Sequence, residues 1–112
     1  MAVAGRGARS VRRGAAFLGR AQNPDGGYAL QPGGRSNAQS TAFAVQGLLA
    51  AGVEPERRHR RGARSPLAYL RSIQHRSGLV RYSRTSVQTP VWVTAQALAA
   101  LARRPLPVRR GR

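Results

Sequence analysis

Apolar residues recur at helical spacing in four stretches of this chain, and each stretch is bounded by residues that start or stop a helix. After Ser10, which suits an N-cap, Val11, Ala15, Leu18 and Ala21 fall on one face. The run Asn23-Pro24-Asp25-Gly26-Gly27 ends that helix in a turn. A second helix opens near Ser36 or Asn37. Ala38, Ala42, Val45 and Leu49 share a face, Phe43 and Leu48 widen it, and Gly52 supplies the stop. The third opens on Ser65-Pro66, a capping residue followed by proline at the first helical position, and runs through Leu67, Leu70 and Ile73 towards Gly78. The fourth opens the same way on Thr89-Pro90, carries Val91, Ala95, Leu98 and Ala102 along one face, and stops before Pro105. The pattern predicts an all-α chain of two antiparallel helix pairs.

The two pairs resemble each other. Phe17-Leu18 followed by Gln22 recurs as Tyr69-Leu70 followed by Gln74, an offset of 52 residues. Gln39-Ser40, with Phe43 beyond, recurs as Gln88-Thr89 with Trp92, an offset of 49, and Gln46-Gly47-Leu48 recurs as Gln96-Ala97-Leu98, an offset of 50. Self-similarity at roughly this period marks stacked helical units, of which about three are normally needed for stability. Two are present. Residues 1–9 are therefore read as a flexible basic leader and 10–104 as two repeat units (10–52 and 65–104). A basic linker joins the units at 53–64, and 105–112 is read as a disordered basic tail.

The segment Arg13-Gly14-Ala15-Ala16-Phe17-Leu18, then Gln22, then Gly26-Gly27-Tyr28 resembles the QW repeat of the prenyltransferase and squalene-cyclase α/α-toroid superfamily. Tyr28 stands where that repeat usually has tryptophan. Ser40 to Leu48 looks like the inner helix that follows the motif, and Thr89 to Leu98 like a final inner helix. The resemblance covers roughly residues 12 to 105. In the second unit Gly78-Leu79-Val80 replaces Gly-x-aromatic, with Tyr82 two residues late. The resemblance implies an incomplete α/α toroid, the C-terminal portion of a longer architecture. In it the second helix of each pair faces a cavity, and Phe43 and Trp92 line that cavity against an isoprenoid-like apolar ligand. It also implies a structural role for the repeat residues Phe17, Gln22, Asp25, Gly26, Gly27, Tyr28, Tyr69, Gln74 and Tyr82. Gln22 is expected to end one helix, bond the start of a neighbouring helix and pack on Tyr28; Gln74 pairs likewise with Tyr82.

Composition changes the picture by weakening the core. Nineteen apolar residues are alanine, and Val, Ile, Leu and Phe together number twenty-two of 112. A chain this small buries roughly 65% of its unfolded surface, and alanine methyls return little transfer free energy for it. A fragment, a partner-dependent module or a basic protein that folds on a polyanion fits this composition better than a self-sufficient enzyme. The expected partners are the remaining toroid repeats or another chain.

Charge points the same way. Twenty basic residues, all arginine, face three acidic ones, a net charge of +17. Blocks such as Arg57-Arg58-His59-Arg60-Arg61 attract phosphate, so nonspecific polyanion binding is expected. With six aromatics, stacking platforms for bases are scarce. The total absence of lysine matches codon bias better than selection for phosphate contacts. An arginine-rich RNA-associated protein is the alternative to the toroid reading. No apolar run reaches the roughly 20 residues of a membrane span, and none follows the basic start as in a secretory signal. A cytoplasmic location without a membrane span is expected.

Catalytic chemistry is hard to assemble. The toroid cyclases use an Asp-rich acid motif, and this chain has one aspartate, Asp25, in a turn where an Asx role suits it. The protein prenyltransferases hold zinc through Asp, Cys and His; here there is no cysteine and two scattered histidines. His59 lies among arginines, and His75 sits near a helix end where it suits the dipole. Ser40 and Thr41 have no base partner and read as polar residues at a helix start. Gly33-Gly34-Arg35-Ser36 lacks the Lys and the preceding strand of a phosphate loop. Trp92 reads as core or cavity lining ahead of a stacking platform. No catalytic residue, metal ligand or cofactor is assigned.

Overall fold

The computed structural model describes residues 7–87 and 89–102; Gln88, the start of the leader and the basic tail lie outside the described residues. Within them the chain is all-helical, with α1 (Gly7–Ala21), α2 (Ala38–Ala50), α3 (Pro66–Ser72) and α4 (Pro90–Leu101). Three isolated antiparallel bridges, Tyr28 with Asn37, Gln74 with Val80 and Ser83 with Ser86, are the only extended pairings among the described residues.

Local chemistry sets several helix ends. Asn37 Oδ1 accepts the Ser40 amide at 2.7 Å, and Ser65 Oγ accepts the Ala68 amide at 3.0 Å, with Pro66 at the first helical position. At the end of α2, Gly52 at φ 81° lets the Val53 amide reach the Leu48 carbonyl at 2.8 Å, a Schellman-type closure. Three ends depart from the sequence expectation. α1 begins at Gly7, so Ser10 lies inside the helix and the leader is helical from residue 7. Thr89 makes no side-chain cap and takes φ 38°, leaving Pro90, with its pre-set φ, to begin α4. α3 ends at Ser72, whose Oγ donates to the Tyr69 carbonyl at 2.6 Å, a local bond that competes with helix continuation.

α2 is central. It packs on α1, α3 and α4; α3 also touches α4, whereas α1 touches α2 alone. The core combines Ala38, Ala42 and Val45 of α2, Leu67, Tyr69 and Leu70 of α3, Val93, Ala97 and Ala100 of α4, and Ile73 and Val80 of the loop between α3 and α4. No α1 side chain belongs to it. Burying Leu67 and Leu70 contributes about 1.5–3 kcal/mol each, and the alanines far less. What the alanines provide is proximity, since small side chains shorten the distance between α2 and α4.

The face of α4 that the apolar spacing marks is its exposed one. Val91 is 84% exposed, Leu98 51%, and Ala95 and Ala102 are exposed too, while Val93, Gln96, Ala97 and Ala100 face inward. α4 is apolar nearly all round, so periodicity does not choose a side; the thin Ala/Val side is the one that fits against α2.

Candidate functional site

The densest polar cluster forms where the α1–α2 loop meets the segment before α3. Gln22, fully buried just beyond α1, donates from Nε2 to the Gly26 carbonyl at 2.9 Å and the Arg64 carbonyl at 3.0 Å. Its Oε1 accepts the Arg60 amide at 2.7 Å, and its backbone carbonyl accepts Nη1 of the Arg60 guanidinium at 2.7 Å. The Arg64 amide returns to the Pro24 carbonyl at 3.1 Å. One buried amide thus ties the end of α1 to the chain entering α3, satisfying groups that burial would otherwise leave unpaired. Gly26, at φ 94°, makes this approach possible: a Cβ there would stand 2.8 Å from the Arg64 carbonyl oxygen and closer still to that of Ser65. At Gly27 a Cβ would meet Tyr69 Cδ2 at 3.0 Å.

The α3–α4 loop repeats this construction at an offset of 52 residues, and the threonine that anchors it at an offset of 53. Gln74 Nε2 donates to the Gly78 carbonyl at 3.1 Å as Gln22 does to Gly26. The His75 amide donates to the Leu79 carbonyl at 2.7 Å, and the Gly78 amide to the His75 carbonyl at 2.8 Å; Asn23, Gly26 and Gly27 make the matching bonds at 2.9 Å. Both loops then anchor on a threonine of the following helix. The Tyr28 amide donates to Thr41 Oγ1 at 2.8 Å and the Val80 amide to Thr94 Oγ1 at 2.9 Å. The loops differ in what surrounds them. Gln74 is exposed, and its Oε1 carries no hydrogen bond among the described residues. A Cβ on Gly78 would meet nothing within 4 Å.

This register corrects two sequence pairings. Val80, fully buried, occupies the place of Tyr28, whereas Tyr82 packs on the core and its carbonyl accepts the Ala38 amide at 2.6 Å. The helix starts, Asn37 and Thr89, lie 52 residues apart and the threonine anchors 53, rather than 49 or 50, so Phe43 and Trp92 are not equivalent positions. Asp25 sits in its turn, with Oδ1 accepting the Gly27 amide at 2.9 Å and the Ser36 hydroxyl at 2.7 Å. Phe17 is half exposed, whereas its counterpart Tyr69 is buried beneath Gly27.

Phe43 and Trp92 stand in separate clefts. Phe43, 54% exposed, shares one with Phe17, Leu18, Tyr28 and Leu30. Trp92, 63% exposed, lies on an open apolar cleft of about 700 Å³ with Pro90, Val91, Ala95 and Gln96. Thr89 also lines it, and the Gln96 Oε1 is buried without a hydrogen-bond partner among the described residues. A third cleft, of about 370 Å³, lies at the end of α3 between Gln74, His75, Arg76, Arg81 and Arg84. Among the described residues no three His, Cys, Asp or Glu side chains gather to hold a metal, and no helix is long and apolar enough to cross a membrane.

Two tyrosines are electrostatically perturbed. Burial pushes the Tyr28 hydroxyl from 10.0 up to about 12. Burial also lifts Tyr69 to about 12; the Asp25 carboxylate adds to the rise, and Arg84, whose Cζ stands 5.9 Å from the ring centroid, opposes it. Both phenols stay neutral under ordinary conditions, so neither supplies a phenolate to any reaction there.

Sequence reasoning missed Arg60, Thr41 and Thr94. Arg60 was indistinguishable from the other arginines of its block. Thr41 and Thr94 were legible in principle, as threonines recurring 53 residues apart near the glutamine offset of 52. Comparison with protein-family models, with curated proteins and with solved structures yields no match.

Proposed function

We propose that the chain is a two-unit piece of an α/α-toroid repeat protein of the prenyltransferase and squalene-cyclase type. Its work is structural or apolar-ligand-contacting, and it does not catalyse alone. The observation that carries this reading is the recurrence of one loop, Gln22 to Tyr28 and again Gln74 to Val80, with matching backbone bonds and a matching threonine anchor. Stacked repeats need such a device because each unit must bond its neighbour where helix ends leave backbone groups unpaired. The second helix of each unit also leaves its large aromatic, Phe43 or Trp92, in contact with solvent. The open, mainly apolar cleft beside Trp92 suits a long hydrocarbon.

The test uses Trp92, the sole tryptophan, as reporter. Titration with farnesol is expected to give a saturable blue shift of emission that weakens in Val91→Ser. Emission unchanged up to the solubility limit removes the isoprenoid part of the reading. A second reading, an arginine-rich RNA-associated protein, is favoured by twenty arginines against three carboxylates. Binding of a single-stranded RNA oligomer that survives competitor at physiological salt favours it over the first.

A further inference from the structure

The polar cleft at the end of α3 is built like a joint whose other half is missing. At the Gln22 loop a turn, residues 60–64, closed by the Ala63 amide on the Arg60 carbonyl at 2.9 Å, lies against the glutamine and exchanges three hydrogen bonds with its side chain and carbonyl. The Gln74 loop reproduces the glutamine and its local bond, while no segment is bonded to the Gln74 Oε1 among the described residues and a cleft opens beside it. That space is rimmed by Arg76, Arg81 and Arg84, and no carboxylate lines it. The Arg84 guanidinium stands over the Tyr69 ring, its Cζ 5.9 Å from the centroid, a contact that restrains it.

We propose that this cleft docks an acidic turn segment of a partner protein, whose main chain pairs with the Gln74 amide as residues 60–64 pair with Gln22 and whose carboxylates meet Arg76, Arg81 and Arg84. The choice of occupant follows from charge. A second copy brings another +17, and its own residues 60–64 are already bonded to its own Gln22. A neutral segment leaves three guanidiniums crowded together, whereas an acidic one relieves their repulsion and forms charge-assisted bonds. The proposal rests on the repeat reading above and adds the chemistry of the neighbour.

The test uses the full chain and a fluorescent synthetic copy of residues 57–66 carrying R57E, R58E, R61E and R64E, with Arg60 retained. Anisotropy is expected to show binding that weakens about tenfold in Gln74→Ala, the loss of a charge-neighboured hydrogen-bond pair. A scrambled peptide of equal charge is expected to bind more weakly and to ignore that substitution. Gln74 is exposed, so the Gln74→Ala protein should melt like the parent, which separates lost docking from lost folding. No binding, equal affinity for Gln74→Ala, or equal affinity for the scrambled peptide overturns the proposal. So does a uridine oligomer that displaces the peptide and is indifferent to Gln74, since the cleft is then a plain polyanion surface. Gln22→Ala keeps the two readings apart: if it leaves stability unchanged the repeat reading fails, and if it destabilises while the peptide ignores Gln74 only the docking fails.

Discussion

The Gln22 and Gln74 loops have the same internal bonds and opposite fates. Around Gln22 the glutamine is wholly buried, Gly26 presses on the backbone of residues 64 and 65, and an arginine seals the carbonyl. Around Gln74 the same loop stands in solvent over an arginine-rimmed cleft. The comparison teaches that the loop conformation is local, whereas its value as a joint depends on a neighbour. A glutamine in an i to i+4 bond with a loop carbonyl holds its shape without help; its remaining amide valences acquire energetic weight only when something covers them.

Paired substitutions can break or sharpen that contrast. The largest difference is expected from Gly26→Ala against Gly78→Ala. Both residues have positive φ, 94° and 100°, so both pay the strain of an alanine there, about 1 kcal/mol. Only at Gly26 does the new methyl also meet backbone, so its total cost should reach about 3 kcal/mol, read as the gap between two thermal melts. Next, Gln22→Ala should cost about 2 kcal/mol by orphaning the Arg60 amide and the Gly26 and Arg64 carbonyls, whereas Gln74→Ala should stay within about 0.5 kcal/mol. Equal melting temperatures for that pair would remove the asymmetry altogether.

The smallest effect is in alkaline stability. Tyr28 and Tyr69 ionise at about 12 in the fold and at 10.0 when exposed, so both states keep the proton below pH 10 and neither tyrosine biases folding there. Between pH 10 and about 12 the unfolded chain gives up protons that the fold retains, and stability falls. Val80 holds the equivalent place in the second loop and cannot titrate. Tyr28→Phe should therefore flatten the decline above pH 10, measured by denaturant midpoints at stepped pH, without altering the Gln74 loop.

Much of the fold was legible because it is decided within a few residues. Asn37 and Ser65 cap their helices through contacts three residues away, and Gly52 closes α2 by its own backbone freedom. Thr89 read as a cap by the same logic and is not one, because its left-handed backbone leaves the side chain without a cap bond and Pro90 makes one unnecessary. The site was half legible. Gln22 and Gln74 stood out by their recurrence, yet their repeat partners in the following helices were aligned a few residues out of step. Apolar patterns in α2 and α4 are nearly continuous and tolerate several registers, whereas the threonine bonds tolerate one.

The amino-acid order alone determined four helices, their approximate limits, the two glutamine-and-glycine loops and an overwhelming positive charge. These depend on backbone preferences and counts, and no distant residue is needed to set them. Tertiary structure alone decided which side of α4 is buried, which of two like glutamines is stitched, and that Arg60, out of a block of arginines, holds a helix end. Each of those outcomes depends on a partner about forty residues away or on how thin a side must be to lie against α2, and neither distance nor thickness is written in any local run of residues.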